Sequence, residues 1–137
     1  MAASLAFVDT NVFLRHLRQD HPDHSPRATA YLERVERGEL RVRTADTVVF
    51  EAVYTLQSLY KQPKAATREA LLPLLELQGI ELPGKRRLRR VFDYYVDHNI
   101  SFADAYHAVL VESLGLDGVV SFDKGYDRIP GLRRWEP

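Results

Sequence analysis

Short apolar runs alternate with longer amphipathic stretches along the whole chain. The first run, residues 5–8, ends directly before a carboxylate, as a buried strand does where it reaches a polar edge. Further runs that predict strands follow at residues 40–43, 79–82, 118–121 and 132–135. The stretches between them have the periodicity of helices, so the sequence predicts an α/β fold in which helices cover both faces of a central parallel sheet.

Several helix boundaries are marked by residues that favour helix ends. Ser25-Pro26 predicts a helix start, with Ser25 as the N-cap and Pro26 in the first helical position. Ser101 predicts the N-cap of a later helix, and Gly115 lies where that helix is expected to end. Pro73 is expected to kink or end the leucine-rich helix that contains it.

The composition narrows the class of protein. With 137 residues the chain fits a single domain, which we place over residues 1–137. It has no cysteine, which excludes disulfides, thiolate metal sites and a cysteine nucleophile. Basic and acidic residues both number 19, so the net charge gives no argument for a nucleic acid or membrane partner. The chain starts without a basic region and Asp9 breaks its first apolar stretch, so we expect no signal peptide, no membrane span and a cytoplasmic location.

Two carboxylates follow closely after predicted strands. Asp9 comes after the first strand, and Asp123 comes shortly after the strand at residues 118–121. In open parallel sheets the functional crevice lies beyond the carboxyl ends of the strands, so both acids are expected there. The alternatives are structural, because Asp9 is also a good N-cap for the next helix and Asp123 a good turn residue.

Two further carboxylates lie on predicted helices. Asp104 follows Ser101 by three residues, a spacing that also predicts a capping box. Glu51 lies just outside the apolar face of its helix, where a solvated surface glutamate is the alternative interpretation.

Four acids collected in one crevice would need a compensating cation, because like charges in a shielded site raise carboxylate pKa values. Oxygen ligands suit Mg²⁺ or Mn²⁺. Such ions activate a water molecule and stabilise the leaving oxygen in phosphodiester cleavage. The residues therefore point to metal-assisted phosphoryl chemistry.

Four segments of the sequence resemble the PIN-domain ribonucleases, and specifically the VapC-like toxins of type II toxin–antitoxin systems. The segments are FVDTNVFLR at residues 7–15, VVFE at 48–51, FADAYHA at 102–108, and VSFD with YDRIPG at 120–131. Their order and spacing span almost the whole chain.

This resemblance implies a three-layer α/β/α fold with a Mg²⁺ or Mn²⁺ site. The acids that bind the ion and carry catalysis would be Asp9, Glu51, Asp104 and Asp123.

Supporting residues and partners also come with the resemblance. Asn11 would help to hold the first carboxylate, and Ser121 would supply the hydroxyl before the last acid, where many relatives have threonine. Asp127 ranks below these as an extra acidic contributor. The family implies an endoribonuclease that cleaves structured RNA such as tRNA or rRNA, as a homodimer inhibited by a cognate antitoxin protein.

A dense basic cluster could contact RNA phosphates. It consists of Arg86, Arg87, Arg89 and Arg90. The alternative is a solvated helix face partly balanced by Asp93 and Asp97. His107 follows Asp104 on the same predicted helix, and we interpret it as a packed or surface histidine.

Other functions remain open at the level of the sequence. A PIN nuclease outside the toxin group would share all four acids. A receiver-like phosphoacceptor or phosphatase would also place an acid at the end of a strand, but it would need a second acid close to Asp9, and positions 10 and 11 carry none. A non-catalytic RNA-binding or interaction module would keep the fold without a working metal site.

The helices on either side of Pro63 carry more apolar surface than one sheet face needs, which suits a homodimer or antitoxin interface.

Overall fold

The computed structural model of the protein describes residues 5–137. Residues 1–4, on which the expectation of no signal peptide partly rests, lie outside the described part. The strands are β1 (Ala6–Phe7), β2 (Val42–Arg43), β3 (Ile80–Glu81), β4 (Val119–Val120) and β5 (Arg134–Trp135). The helices are α1 (Thr10–Arg18), α2 (His24–Glu36), α3 (Asp46–Ser58), α4 (Lys64–Leu75), α5 (Leu88–Asp97) and α6 (Phe102–Leu114), with 3₁₀ turns at Lys85–Arg87 and Lys124–Arg128.

All the strand pairs between residues 5 and 137 are parallel. The strands β1, β2 and β3 pair in that order, with Val42 opposite both Ala6 and Ile80. The strands β4 and β5 form a separate pair. Six helices accompany these parallel strands, so the three-layer α/β/α class and the parallel pairing are confirmed. The hydrogen bonding nevertheless divides the strands into two sheets rather than one continuous central sheet.

The expectation of a buried first strand is wrong for most of its length. Only Ala6–Phe7 form β1, both residues are exposed, and Phe7 is 58% exposed. β1 pairs with β2 on one side only, so it remains at an edge of the three-stranded sheet. Val8, the next residue, is buried in the main core.

The helix ends show which boundary signals the fold uses. Ser101 Oγ accepts the Asp104 N–H at 3.1 Å, and Gly115 ends α6 in the left-handed region, as predicted. The helix α2 begins at His24, before the predicted Ser25 cap, where the Nδ1 of His21 accepts the His24 N–H at 2.8 Å. Pro73 lies within α4, which continues for two residues beyond it.

An aromatic cluster joins the helices on one side of the sheet. Phe92 and Tyr95 of α5 pack against Phe102 of α6 with ring centroids 4.9 and 5.5 Å away. Burial raises the pKa of Tyr95 to about 12, and its hydroxyl donates to Gln57 Oε1 at 2.5 Å. This packing fixes the start of α6, the helix that carries Asp104.

Within residues 5–137, no helix combines the length and the apolar character that crossing a membrane requires.

Candidate active site

The structure brings two of the four predicted acids into contact. Asp104 lies in the first turn of α6 and Asp123 follows β4, and their carboxyl groups lie beside one another and shift each other's pKa. Both face Gly125, where an added methyl group would lie 3.0 Å from Asp123 Oδ1 and 3.5 Å from Asp104 Oδ2. A helix carboxylate and a strand-end carboxylate therefore share one location, and together Asp104 and Asp123 form the acid pair of this site.

The two carboxyl groups have different electrostatic surroundings. Burial, followed by the hydrogen bond with Asp123, raises the pKa of Asp104 above its usual value. The pKa of Asp123 is lowered, first by the Gly125 N–H, which donates to Asp123 Oδ1 at 2.8 Å, and then by Asp104. A proton shared by the pair therefore resides on Asp104, and the two carboxylates repel each other when both are ionised.

Asp9 occupies the N-cap position of α1, but its side chain makes no capping hydrogen bond. The carboxylate is exposed just beyond β1, so the structure gives it no capping role. In the described part of the chain, no side-chain hydrogen bond joins Asn11 to Asp9. Asn11 instead lines a cleft of about 590 Å³ whose wall includes Phe7, Val12 and Arg15.

Two hydrogen bonds connect α3 to the other elements that carry acids. The buried hydroxyl of Thr44, which precedes α3, donates to the carbonyl of Val8 at 3.0 Å. The hydroxyl of Tyr106 on α6 donates to Asp46 Oδ2 in the first turn of α3, also at 3.0 Å. The N-terminal parts of α3 and α6 therefore lie at the carboxyl end of β1, and Glu51 is exposed one turn further along α3.

The four acids do not form a closed cluster. In the described range 5–137, no three His, Asp or Glu side chains are arranged to hold a metal ion. Asp104 and Asp123 are paired, whereas Asp9 and Glu51 are separate exposed carboxylates on neighbouring elements.

Two other predicted residues have clear local partners. Ser121 Oγ accepts the Asp123 N–H at 2.9 Å, so this hydroxyl shapes the backbone that presents the acid. Asp127 accepts two hydrogen bonds from Arg134, at 2.9 and 3.1 Å, which lower the pKa of its carboxyl. Asp127 is therefore engaged in a surface ion pair rather than facing the other acids.

The predicted arginine cluster divides into two pairs. A guanidinium nitrogen of Arg89 lies 2.6 Å from Glu76, and one of Arg90 lies 2.7 Å from Glu112. These two cations are neutralised locally and are poorly placed to bind phosphate.

The other two cations of the cluster are not balanced in this way. Among the ion pairs described for residues 5–137, none involves Arg86 or Arg87. The acids expected to balance the cluster, Asp93 and Asp97, instead lie 3.2 and 3.7 Å from Arg68. The expectation that Asp93 and Asp97 partly balance the cluster is therefore wrong.

Sequence reasoning missed one contact beside the acid pair. The hydroxyl of Tyr126, in the turn that follows Asp123, lies 2.9 Å from Nδ1 of His107 on α6. The signal that could have found it is the spacing, because Asp104 and His107 are three residues apart and share one face of α6. Tyr126 is likewise three residues after Asp123.

The family model for the PIN domain matches residues 6–132. The chain belongs to the PIN-domain family. PIN domains are generally metal-dependent nucleases, which places the acid pair in a protein of a nuclease family. A search of the curated proteins finds no match.

The acid pair of this PIN domain offers two carboxylate groups of the kind that bind divalent metal ions. Two cations lower the pKa of Asp123 through space, but Arg134 is bound to Asp127 and Arg128 donates to the carbonyl of Asn99. The repulsion between the carboxylates is therefore only partly compensated. Carboxylate oxygens are preferred ligands of Mg²⁺ and Mn²⁺, so an ion there would complete the compensation.

We expect Mn²⁺ to raise the melting temperature of the wild-type PIN domain but not that of Asp104→Asn. A ligand that binds only the folded state at a hundred times its Kd adds about 2.7 kcal/mol of stability. A carboxyl whose pKa is raised by folding loses its stabilising contribution as the pH rises through that value. Asp104→Asn without metal should therefore melt no lower than the wild type at neutral pH. Differential scanning calorimetry with and without Mn²⁺ measures both effects, and an equal rise in both proteins would contradict metal binding at Asp104.

Proposed function

We propose that this PIN domain is a Mg²⁺- or Mn²⁺-dependent endoribonuclease and the toxin component of a type II toxin–antitoxin system. The observation that carries the nuclease assignment is the contact between Asp104 and Asp123 in a chain of this family. The toxin assignment rests on the resemblance of the four sequence segments to VapC-like proteins.

The residues of the chain have distinct tasks in this proposal. Asp104 and Asp123 would hold the ion, and Asp9 and Glu51 would complete its surroundings directly or through water. When bound, such an ion supplies the charge that activates a water molecule and stabilises the leaving oxygen of a phosphodiester. Ser121 keeps Asp123 in place through its backbone N–H.

The proposed partners are a structured RNA such as tRNA or rRNA, a cognate antitoxin protein and a second copy of the chain. Two features support the protein partners. Tyr54 of α3 and Leu59, directly after its end, are large exposed side chains, which suits a homodimer interface. The cleft at Phe7 and Asn11 adjoins Asp9, so an antitoxin segment seated there would obstruct the site.

RNA binding should depend on Arg86 and Arg87 and not on their neighbours. Arg86→Gln combined with Arg87→Gln removes the two cations without ion pairs, so we expect the slope of log affinity against log salt to fall by about 1 to 2. Arg89→Gln combined with Arg90→Gln is the matched control, because Glu76 and Glu112 already neutralise those cations. Fluorescence anisotropy with a labelled RNA across a salt series measures the slope. Equal slopes for the two double variants would exclude Arg86 and Arg87 from the RNA-binding surface.

Expression of the wild type and of Asp9→Asn without any partner tests the function as a whole. We expect growth arrest and new RNA 5′ ends only with the wild type, and transcriptome-wide mapping of those ends identifies the substrate. Discrete ends without growth arrest would support a PIN nuclease outside the toxin group. If purified wild-type protein also cleaves no RNA in the presence of Mn²⁺, the nuclease proposal fails.

A further inference from the structure

A second cleft lies at the carboxyl end of β3, apart from the acid pair. Its volume is about 430 Å³, and it lies between the segment that follows β3 and the last turn of α6. Its lining contains three basic side chains and no acidic one, so the cleft suits an anion. The residues that line it are Leu82, Gly84, Lys85, Arg86, Arg87 and Ser113.

Two of the basic side chains in this cleft are not neutralised. In the part of the chain that the structure describes, no ion pair involves Arg86 or Arg87. Lys85 differs from them, because its Nζ donates to the carbonyl of Ile80 at 2.7 Å. The acid next to Ser113 along the chain is held by Arg90. The two guanidinium groups therefore keep donors whose planar geometry matches the oxygens of a phosphate.

Gly84 makes room for the guanidinium group of Arg87. A methyl group added to the Cα of Gly84 would lie 2.5 Å from Nη2 of Arg87. The guanidinium group therefore packs directly against the backbone of the glycine. Because it is the free end of a flexible side chain, a side chain at position 84 would displace it from the cleft.

The cleft lies at the same edge of the three-stranded sheet as Asp9. The N–H of Val8 donates to the carbonyl of Arg43 at 2.8 Å. The N–H of Thr44 donates to the carbonyl of Glu81 at 3.0 Å, so the three strands end in the same row. Neighbouring strands are about 4.8 Å apart, which places the end of β3 roughly 10 Å from the end of β1.

The helix α6 connects the cleft to the acid pair. Asp104 lies in the first turn of this helix, and Ser113 lies in its last turn. At 1.5 Å per residue, these positions are about 14 Å apart along the helix axis. One phosphate group cannot occupy both places, whereas a nucleic acid strand can reach from one to the other.

We propose that the cleft at Arg86 and Arg87 binds a phosphate of the RNA that is not cleaved, a few nucleotides from the scissile bond. This inference rests on the proposed nuclease function, which uses the two arginines only as a general source of charge. The subsite holds the strand while the scissile phosphate lies at the acid pair. Gly84 is a positioning residue, because it sets the place of the Arg87 guanidinium group.

Gly84→Ala tests the subsite without metal. Fluorescence anisotropy with a labelled single-stranded RNA in EDTA should show about tenfold weaker binding, the scale of one hydrogen bond to a charged group. The slope of log affinity against log salt should fall by about 1. Gly38→Ala is the matched control, because Gly38 has a φ of +80° against +74° for Gly84, but nothing lies within 4 Å of its added methyl group. Equal losses of affinity in both variants overturn the inference.

Ser113→Asp tests the same cleft from α6. Ser113 is exposed in the last turn of this helix, so the variant should fold even where Gly84→Ala does not. The new carboxylate would repel a phosphate bound by the two arginines, and we expect RNA affinity to fall by about tenfold or more. Ser58→Asp, in the last turn of α3, is the control and should bind RNA as the wild type does.

Cleavage with Mn²⁺ locates the bound phosphate. In an RNA that the wild type cleaves, one phosphate at a time is replaced by an uncharged methylphosphonate. At one position a few nucleotides from the scissile bond, we expect the replacement to raise KM by about tenfold with kcat unchanged. The same replacement should have no further effect in Arg86→Gln combined with Arg87→Gln, because both changes remove the same interaction.

The outcomes separate the subsite from the nuclease itself. If the wild type cleaves RNA, but Gly84→Ala and Ser113→Asp bind RNA as tightly as the wild type, the subsite is overturned and the nuclease stands. If both variants weaken RNA binding but the wild type cleaves no RNA with Mn²⁺, the subsite is supported and the proposed function is overturned.

Discussion

Asp104→Asn is expected to lower metal-dependent RNA cleavage by more than about a hundredfold, since losing even the outer partners of metal ligands costs roughly 10–100-fold. The amide keeps the shape of the side chain but lacks the negative charge that would hold the ion. It also ends the repulsion with Asp123, so the fold should be retained. Cleavage of a labelled RNA with Mn²⁺ measures the effect, and circular dichroism confirms the fold.

A suitable control for this variant is Asp93→Asn. Asp93, on α5, is half-buried like Asp104 and pairs with Arg68 of α4, so its substitution removes the same charge away from the acid pair. We expect its cleavage rate to match that of the wild type. Full cleavage by purified Asp104→Asn and Asp9→Asn alike would contradict the assignment of these acids to the reaction.

Phe92→Ala is expected to lower the free energy of unfolding by about 3–5 kcal/mol. Phe92 is fully buried, and its ring centroid lies 4.9 Å from that of Phe102 and 6.4 Å from that of Tyr95. Truncation leaves a cavity between α5 and α6 that rigid neighbouring rings fill poorly. Urea denaturation followed by circular dichroism measures the change as a lower midpoint.

Phe122→Ala is the matched control for this cavity. Phe122 is 71% exposed, so its truncation should change the free energy of unfolding by no more than about 0.5 kcal/mol. Equal losses of stability for the two variants would mean that the α5–α6 aromatic cluster is not the main support of this region.

Local signals predicted most of the elements in the right order. Ser101 and Gly115 bound α6 as expected, because a serine acceptor and a glycine in the left-handed region act within one helical turn. Pro73 did not end α4, because the helix continues to Leu75. Pro73 therefore lies in the last turn of the helix. The Ser25-Pro26 signal placed the start of α2 slightly late, because a ring nitrogen of His21 accepts the N–H of His24.

The order of residue types along the chain did not predict contacts between residues that are distant in sequence. In the sequence, the four arginines of the basic cluster look equivalent. In the structure, Glu76 neutralises Arg89 and Glu112 neutralises Arg90. Such pairs depend on how the helices pack, and the spacing along one helix does not encode them.

The sequence by itself determined the alternation of strands and helices, the absence of thiol chemistry and the placing of carboxylates at strand and helix ends, because each depends on residue type and local spacing. The tertiary structure alone decided that Asp104 meets Asp123, that Tyr126 contacts His107, and that β1 remains at a sheet edge. These features depend on the relative placement of elements far apart in the chain. Packing of the core sets that placement, and with it the distances that decide which acids can share an ion.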